Sequence, residues 1–245
     1  MRHALRITAL LCLAMPLRAQ HRNVVLIAID GLRGVDFASL TAKQTSLPNL
    51  AKFHAEGAVS EGLIGVFPTV TAPSMASLVT GVSPAVHGVL DNYAFDPERK
   101  MNASDSANEY AELIHVPTLW SAAHEAGLRT ASVYWPTTTT AVMDADFPNH
   151  TQMRNYRDRL LYRAVATPGL VAEFEKEYGN LPTGSNSFNE QVITEMSLFL
   201  IKTRKPNLLM IYFQDLDHAE HKNGPQSPEA YEVLKKDRHR HRCSA

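Results

Sequence analysis

Residues 23–29, NVVLIAI, run straight into Asp30-Gly31 and set the fold class. A continuous apolar run rich in β-branched residues predicts a central strand of a parallel sheet, buried on both faces. A second run of the same character, NLLMIYF at 207–213, stops at Gln214-Asp215. Between them, strand-like and helix-like segments alternate. Residues 48–56 read as a helix stopped by Gly57, with Leu47, Leu50, Ala51 and His54 on its apolar side. Residues 58–66 read as a strand, 73–80 as a short helix stopped by Gly81, 118–126 as a helix with Gly127 behind it, and 129–135 as a strand. A long amphipathic helix is expected over 189–203, with Phe188, Val192, Met196, Phe199 and Leu200 on one stripe. Residues 227–236, SPEAYEVLKK, read as a last helix with Tyr231 and Leu234 on its apolar side. The stretch 137–178 is less regular and is expected to form surface insertions. The alternation predicts an α/β fold: a doubly wound, mostly parallel sheet with helices on both faces.

In such sheets ligands gather beyond the carboxyl ends of the strands. Asp30 follows the first strand, Thr69 and Thr71 the second, Asp215 and Asp217 the last. Asp217 and His221 stand four apart, so one helical turn brings a carboxylate and an imidazole to one side, a zinc-type pair. An isolated DxxxH is more often an exposed polar loop, but its place just past a buried strand favours a site. His218 and Glu220 are expected to face solvent or to support the ligands from behind. Asp30, Asn92, Asp91 and Asp96 each also suit a turn.

The stretch FPTVTAPSMASLVTGVSPAVHG, residues 67–88, crowds two threonines where a helix begins. Pro73 favours the first helical turn, so Thr71 lies at or next to the N-cap. A helix N-terminus offers free N–H groups and a positive dipole end, which suit a phosphate. A threonine hydroxyl is a poor nucleophile unless a metal ion lowers its pKa.

The chain has 245 residues, enough for one sizeable core, with 44% hydrophobic and 20% charged residues. A net charge of −1 gives no electrostatic footprint for nucleic acid. Residues 1–19 read as a signal peptide: Arg2 and Arg6, then the apolar run ITALLCLAMPL, too short to span a bilayer, then Arg18-Ala19-Gln20. A soluble periplasmic or secreted protein with no anchor is expected. Cleavage after Ala19 removes Cys12 and leaves Cys243 alone, so no internal disulfide forms.

Taken in order, Asp30 after its apolar strand, FPTVTAPSMASLVTGVSPAVHG, Asn92 and DLDHAEHKNGP resemble the nucleotide pyrophosphatase/phosphodiesterase family (type I phosphodiesterases) of the alkaline phosphatase superfamily, over residues 23–236. The resemblance implies an enzyme with two Zn²⁺ ions acting on a small phosphodiester or pyrophosphate. It implies that Thr71 is the nucleophile and that the Asn92 amide holds a non-bridging phosphate oxygen. Asp30, with Thr71, would belong to the zinc that activates the nucleophile, and Asp217 and His221 to the zinc that activates water. Attack by Thr71 would expel the leaving group, and the resulting phosphothreonine would be hydrolysed. Many members have Lys between the threonines and an aromatic after the nucleophile; here these are Val70 and Ala72, which weakens the case for a nucleotide substrate. Related sulfatases carry Cys or Ser at the nucleophile and Arg three residues later. Thr71 and Ser74 here argue against sulfate ester hydrolysis.

The family pattern adds an Asp-His pair and a distant His after the DxxxH segment. His239 and His241, in KKDRHRHRCSA, match neither, so each zinc site is expected to be half built in a catalytic domain of residues 20–236 that is incomplete. Residues 237–245 change character abruptly, and one codon choice, with a single A removed from the Lys235-Lys236 run, turns the end into KKTDTDIGAL. A shifted reading frame is therefore expected in preference to a genuine basic tail or a His-rich metal-binding tract. The alternative function is a non-catalytic remnant, or a protein of the same fold that binds phosphate or one metal.

Overall fold

The computed structural model describes residues 23–35, 37, 47–95, 97–98, 108–150, 155–184 and 187–236. The expected leader at 1–19, Asp96 and the tail at 237–245 lie outside the described residues. Four strands, β1 (Val24–Ile29), β2 (Thr130–Val133), β3 (Ala145–Phe147) and β4 (Leu208–Phe213), form one sheet in the order β1-β4-β2-β3. Every pairing is parallel, with Ile29 opposite Phe213, Val133 opposite Ile211 and Phe147 opposite Val133. All carboxyl ends therefore lie at one edge. The helices are α1 (Pro48–Glu56), α2 (Thr71–Thr80), α3 (Pro84–His87), α4 (Leu119–Glu125), α5 (Tyr156–Val165), α6 (Leu170–Tyr178), α7 (Glu190–Thr203), α8 (Asp215–Asn223) and α9 (Pro228–Lys236), with a 3₁₀ turn at Ala111–Leu113. This is the doubly wound α/β architecture expected from the sequence. Among the described residues no helix is long and apolar enough to cross a membrane.

Local chemistry explains the boundaries. Thr118 and Ser121 close a reciprocal capping box at the start of α4. Asn189 accepts a hydrogen bond from the Val192 N–H at the start of α7. Gly81, at φ 72°, ends α2 in the left-handed conformation that glycine adopts without a Cβ penalty. Successive side chains of a strand point to opposite faces, yet all of β2 and all of β4 except Phe213 are buried. Both faces of the central strands are thus covered. The core joins these strands to Trp120, Leu170, Phe174, Ile193, Met196, Phe199 and Leu200.

Three expectations need correction. β1 is an edge strand, paired on one side to β4, and Val25 and Ile27 are each 50% exposed. Its sequence looks two-sided, but only the face carrying Ala28 packs into the core. Residues 58–66 form no strand: Gly62 and Gly65 interrupt the run, and Leu63 and Ile64 stand almost fully exposed with no neighbour to pair. Residues 137–178 are no surface insertion. They supply β3, α5 and α6, and Phe147, Tyr162, Leu170 and Phe174 are core residues.

Candidate active site

Asp30 is the first residue after β1, and its N–H donates to the Phe213 carbonyl at 2.9 Å, extending the ladder by one step. Its carboxylate is held at three points. The Gly31 N–H donates to Oδ1 at 3.1 Å; the Thr71 hydroxyl and the Tyr212 phenol donate to Oδ2 at 3.0 and 2.5 Å. Gly31 has φ 80°, and a Cβ there would lie 2.8 Å from Glu220 Oε2 and 3.2 Å from the Asp217 backbone. Glycine at this position lets the turn after β1 press against the first turn of α8. That contact brings Asp30 beside Asp217.

Thr71 opens α2. The N-cap, Val70, is extended and provides no side-chain cap. The cap comes instead from elsewhere in the chain: the Ala72 N–H donates to Asn92 Oδ1 at 2.7 Å. An N–H donor requires the amide oxygen as its acceptor, so this bond fixes which end of the Asn92 amide faces the helix. Asn92 is itself pinned, its N–H donating to Asp91 Oδ1 at 2.6 Å and its carbonyl accepting from the Asn108 N–H at 2.9 Å. Asp91 is thus a turn residue, as expected, and Thr69 is exposed and apart from these contacts.

Asp217 lies in the first turn of α8, and His221 Nε2 is 3.3 Å from its Oδ1. Burial pushes the Asp217 carboxyl above the usual carboxylate range, the Asp30 charge adds to this, and His221 and His218 oppose it. The carboxylate that follows β1 and the one in the first turn of α8 therefore share one acidic spot. His218 is exposed and Glu220 sits against Gly31, in keeping with supporting positions. Asp215 works at the helix boundary: its carboxylate accepts from the Glu190 N–H at 3.2 Å, while its own N–H donates to Glu190 Oε1 at 3.3 Å. This reciprocal pair ties the starts of α7 and α8 together.

The sequence reading missed Tyr212. Burial first, and the Asp30 charge second, push its phenol far above the ordinary tyrosine value, so it remains a donor to Asp30. The available signal was a hydroxyl set within the otherwise apolar run NLLMIYF. Also missed was a buried pair, His150 Nδ1 and Glu109 Oε2, 2.7 Å apart.

The donors fit a divalent cation in kind. Asp30, Thr71, Asp217 and His221 offer carboxylate, hydroxyl and imidazole, with the Asp30 carboxylate and the Thr71 hydroxyl in direct contact. They fall short in number: among the described residues no group of three His, Cys, Asp or Glu could hold an ion. His239 and His241 lie outside the described residues.

A family model described as "Type I phosphodiesterase / nucleotide pyrophosphatase" matches residues 24–237. The chain is 30% identical over 217 residues to ectonucleotide pyrophosphatase/phosphodiesterase family member 3 of Rattus norvegicus, covering 86% of this chain and 21% of that protein. It is 25% identical over 222 residues to venom phosphodiesterase 2 of Crotalus adamanteus, covering 89% of this chain and 24% of that protein. Among solved structures it is similar to murine ectonucleotide pyrophosphatase / phosphodiesterase 5, with TM-score 0.56 and 19% identity over 87% of this chain and 49% of that one. It is also similar to phosphonoacetate hydrolase of Sinorhizobium meliloti, with TM-score 0.60 and 18% identity over 88% of this chain and 51% of that one. The chain thus spans about a quarter or less of the length of these curated relatives and about half that of the solved structures.

Proposed function

The chain belongs to the type I phosphodiesterase / nucleotide pyrophosphatase family, and from that premise we propose that it is an exported hydrolase of small phosphodiesters or pyrophosphates with Thr71 as nucleophile. One observation carries the assignment. The Thr71 hydroxyl sits in the first turn of α2 and donates to Asp30 Oδ2 at 3.0 Å, which directs its lone pairs away from the carboxylate. The positive end of α2 lies beside it, suited to a phosphate.

In the first step a bond forms between Thr71 Oγ1 and phosphorus as the bond to the leaving oxygen breaks, and the alcohol or phosphate departs. The Thr71 hydroxyl donates a hydrogen bond to Asp30 Oδ2, which orients the oxygen for attack, and the hydroxyl proton leaves with the departing alcohol or phosphate. Asn92, its Oδ1 held by the Ala72 N–H, turns its amide donors towards a non-bridging phosphate oxygen, and the Thr71 N–H adds a second donor. Water then hydrolyses the phosphothreonine and restores Thr71. Zinc would be held by Asp30 with Thr71 and by Asp217 with His221, and would lower the pKa of oxygen nucleophiles and neutralise phosphate charge.

Export rests on the leader at residues 1–19 and agrees with relatives named as ecto-enzymes and venom phosphodiesterases. One solved neighbour, murine ectonucleotide pyrophosphatase / phosphodiesterase 5, is described in complex with AMP. Ala72 leaves this chain without an aromatic after the nucleophile, so a phosphodiester with another leaving group is the better candidate.

The test is hydrolysis of bis-p-nitrophenyl phosphate with added zinc. The wild type is expected to turn over, a chelator to stop it, and Thr71→Ala to lower the rate by a hundredfold or more. Equal rates in wild type and Thr71→Ala would rule out Thr71. Zinc binding without turnover would favour a phosphate- or metal-binding protein of the same fold.

A further inference from the structure

The register of the sheet explains how Tyr212 reaches Asp30. Tyr212 on β4 pairs directly with Ala28 on β1, and Asp30 lies two residues further along the same side of β1. Ala28 is the smallest residue of VVLIAI, and opposite a tyrosine it leaves room for the ring to run along β1 towards Asp30. The far side of that ring is backed by Tyr134, with centroids 6.4 Å apart and planes 25° apart. Tyr134 in turn packs against Phe188 at 4.8 Å. The phenol is thus anchored in the core while Thr71 and Gly31 belong to the rim of the site.

We propose that Tyr212 is a positioning residue whose hydroxyl locks the rotation of the Asp30 carboxylate, presetting it for the cation and for Thr71. This rests on the assignment of Asp30 as a metal ligand. A carboxylate gripped on Oδ2 by a buried donor loses little further freedom when an ion binds. Removing such a partner typically weakens metal binding about 10–100-fold. Tyr134 packs beside Tyr212, but its phenol accepts from Gln214 Nε2 at 3.4 Å, so it serves as a control that changes the aromatic wall without touching Asp30.

Zinc affinity of the whole chain, measured by titration calorimetry with thermal melts recorded alongside, tests this. Tyr212→Phe is expected to weaken zinc binding about 10–100-fold with little change in melting, and Tyr134→Phe by less than about twofold. Equal affinity in Tyr212→Phe and wild type, or equal loss in both variants, overturns the proposal. Zinc binding that is absent from wild type, or unchanged in Asp30→Ala, overturns the metal assignment and this inference with it. If Tyr212→Phe does not fold, proton NMR of the metal-free wild type decides. A strongly downfield, exchange-protected hydroxyl proton that is lost in Asp30→Ala supports the lock; no such proton overturns it.

Discussion

The Asn92 amide oxygen caps α2 through the Ala72 N–H, and in the proposed function the amide nitrogen serves the substrate. The two uses separate on mutation. Asn92→Ala leaves the Ala72 N–H without its partner and should cost about 1 kcal/mol of stability, together with activity. Asn92→Asp keeps the acceptor and so should retain nearly all of the stability. It removes the donors and sets a negative charge against the phosphate, so its activity should fall as far as that of Asn92→Ala. Urea melts and diester hydrolysis on the two variants check this; a fully active Asn92→Asp would remove Asn92 from phosphate binding. At this scale the sequence was legible where a residue type is rare in its setting. Asp30, Thr71, Asp217 and His221 stood out because polar groups followed apolar strands or opened a helix, whereas Asn92 was marked only by the family resemblance. Tyr212 did not, because a tyrosine fits an apolar strand without any function, and only the strand register shows that it reaches Asp30.

The α2–α3 hairpin that carries Thr71 is braced by a histidine. His87 is fully buried, accepts from the Val89 N–H on Nδ1 at 3.1 Å, and lies 2.9 Å from Ser77 Oγ through Nε2. With Nδ1 accepting, the neutral ring carries its proton on Nε2 and donates to Ser77. Burial lowers the His87 pKa, with the Pro73 carbonyl opposing more weakly. The unfolded chain therefore binds this proton at higher pH than the folded one. The stability supplied by neutral His87 is present above about pH 6.5 and is lost as pH falls through the unfolded value towards the folded one. Wild type should exceed His87→Gln by about 1–2 kcal/mol at pH 8, and the gap should shrink by pH 5. Urea melts at both pH values measure it; a constant gap would contradict the assignment. The end of α2 was readable because Gly81 punctuates it, but the helix starts at Thr71, two residues before the expected Pro73, and α3 was not read. The run at 58–66 misled because β-branched composition cannot say whether a strand has a neighbour.

Across the whole molecule, the edge of the sheet at β3 buries an ionisable side chain. Asp146, on the three-residue strand β3, is buried, and Thr138 Oγ1 donates to its Oδ1 at 3.4 Å. Burial pushes its carboxyl well above the usual range, outweighing the hydrogen bond. The folded chain thus holds a proton that the unfolded chain releases, so the contribution of Asp146 to stability is full below about pH 3.9 and declines as pH rises towards the folded value. Asp146→Asn should therefore be at least as stable as wild type at pH 7, and its advantage should disappear near pH 4. Thermal melts across that range would show it, and a strongly destabilised Asp146→Asn at pH 7 would contradict it. The parallel architecture was legible from two apolar runs, NVVLIAI and NLLMIYF. β3 was not, since three residues carry no periodicity, and its burial depends on α5 and α6, which pack beside it.

Trapping the covalent intermediate tests the role proposed for Thr71 most directly. Rapid acid quench of the zinc-supplemented chain with bis-p-nitrophenyl phosphate, followed by peptide mass spectrometry, should find a nitrophenylphosphoryl group on Thr71, and none in Thr71→Ala. Turnover with no adduct on Thr71, or an adduct on another side chain, would contradict it.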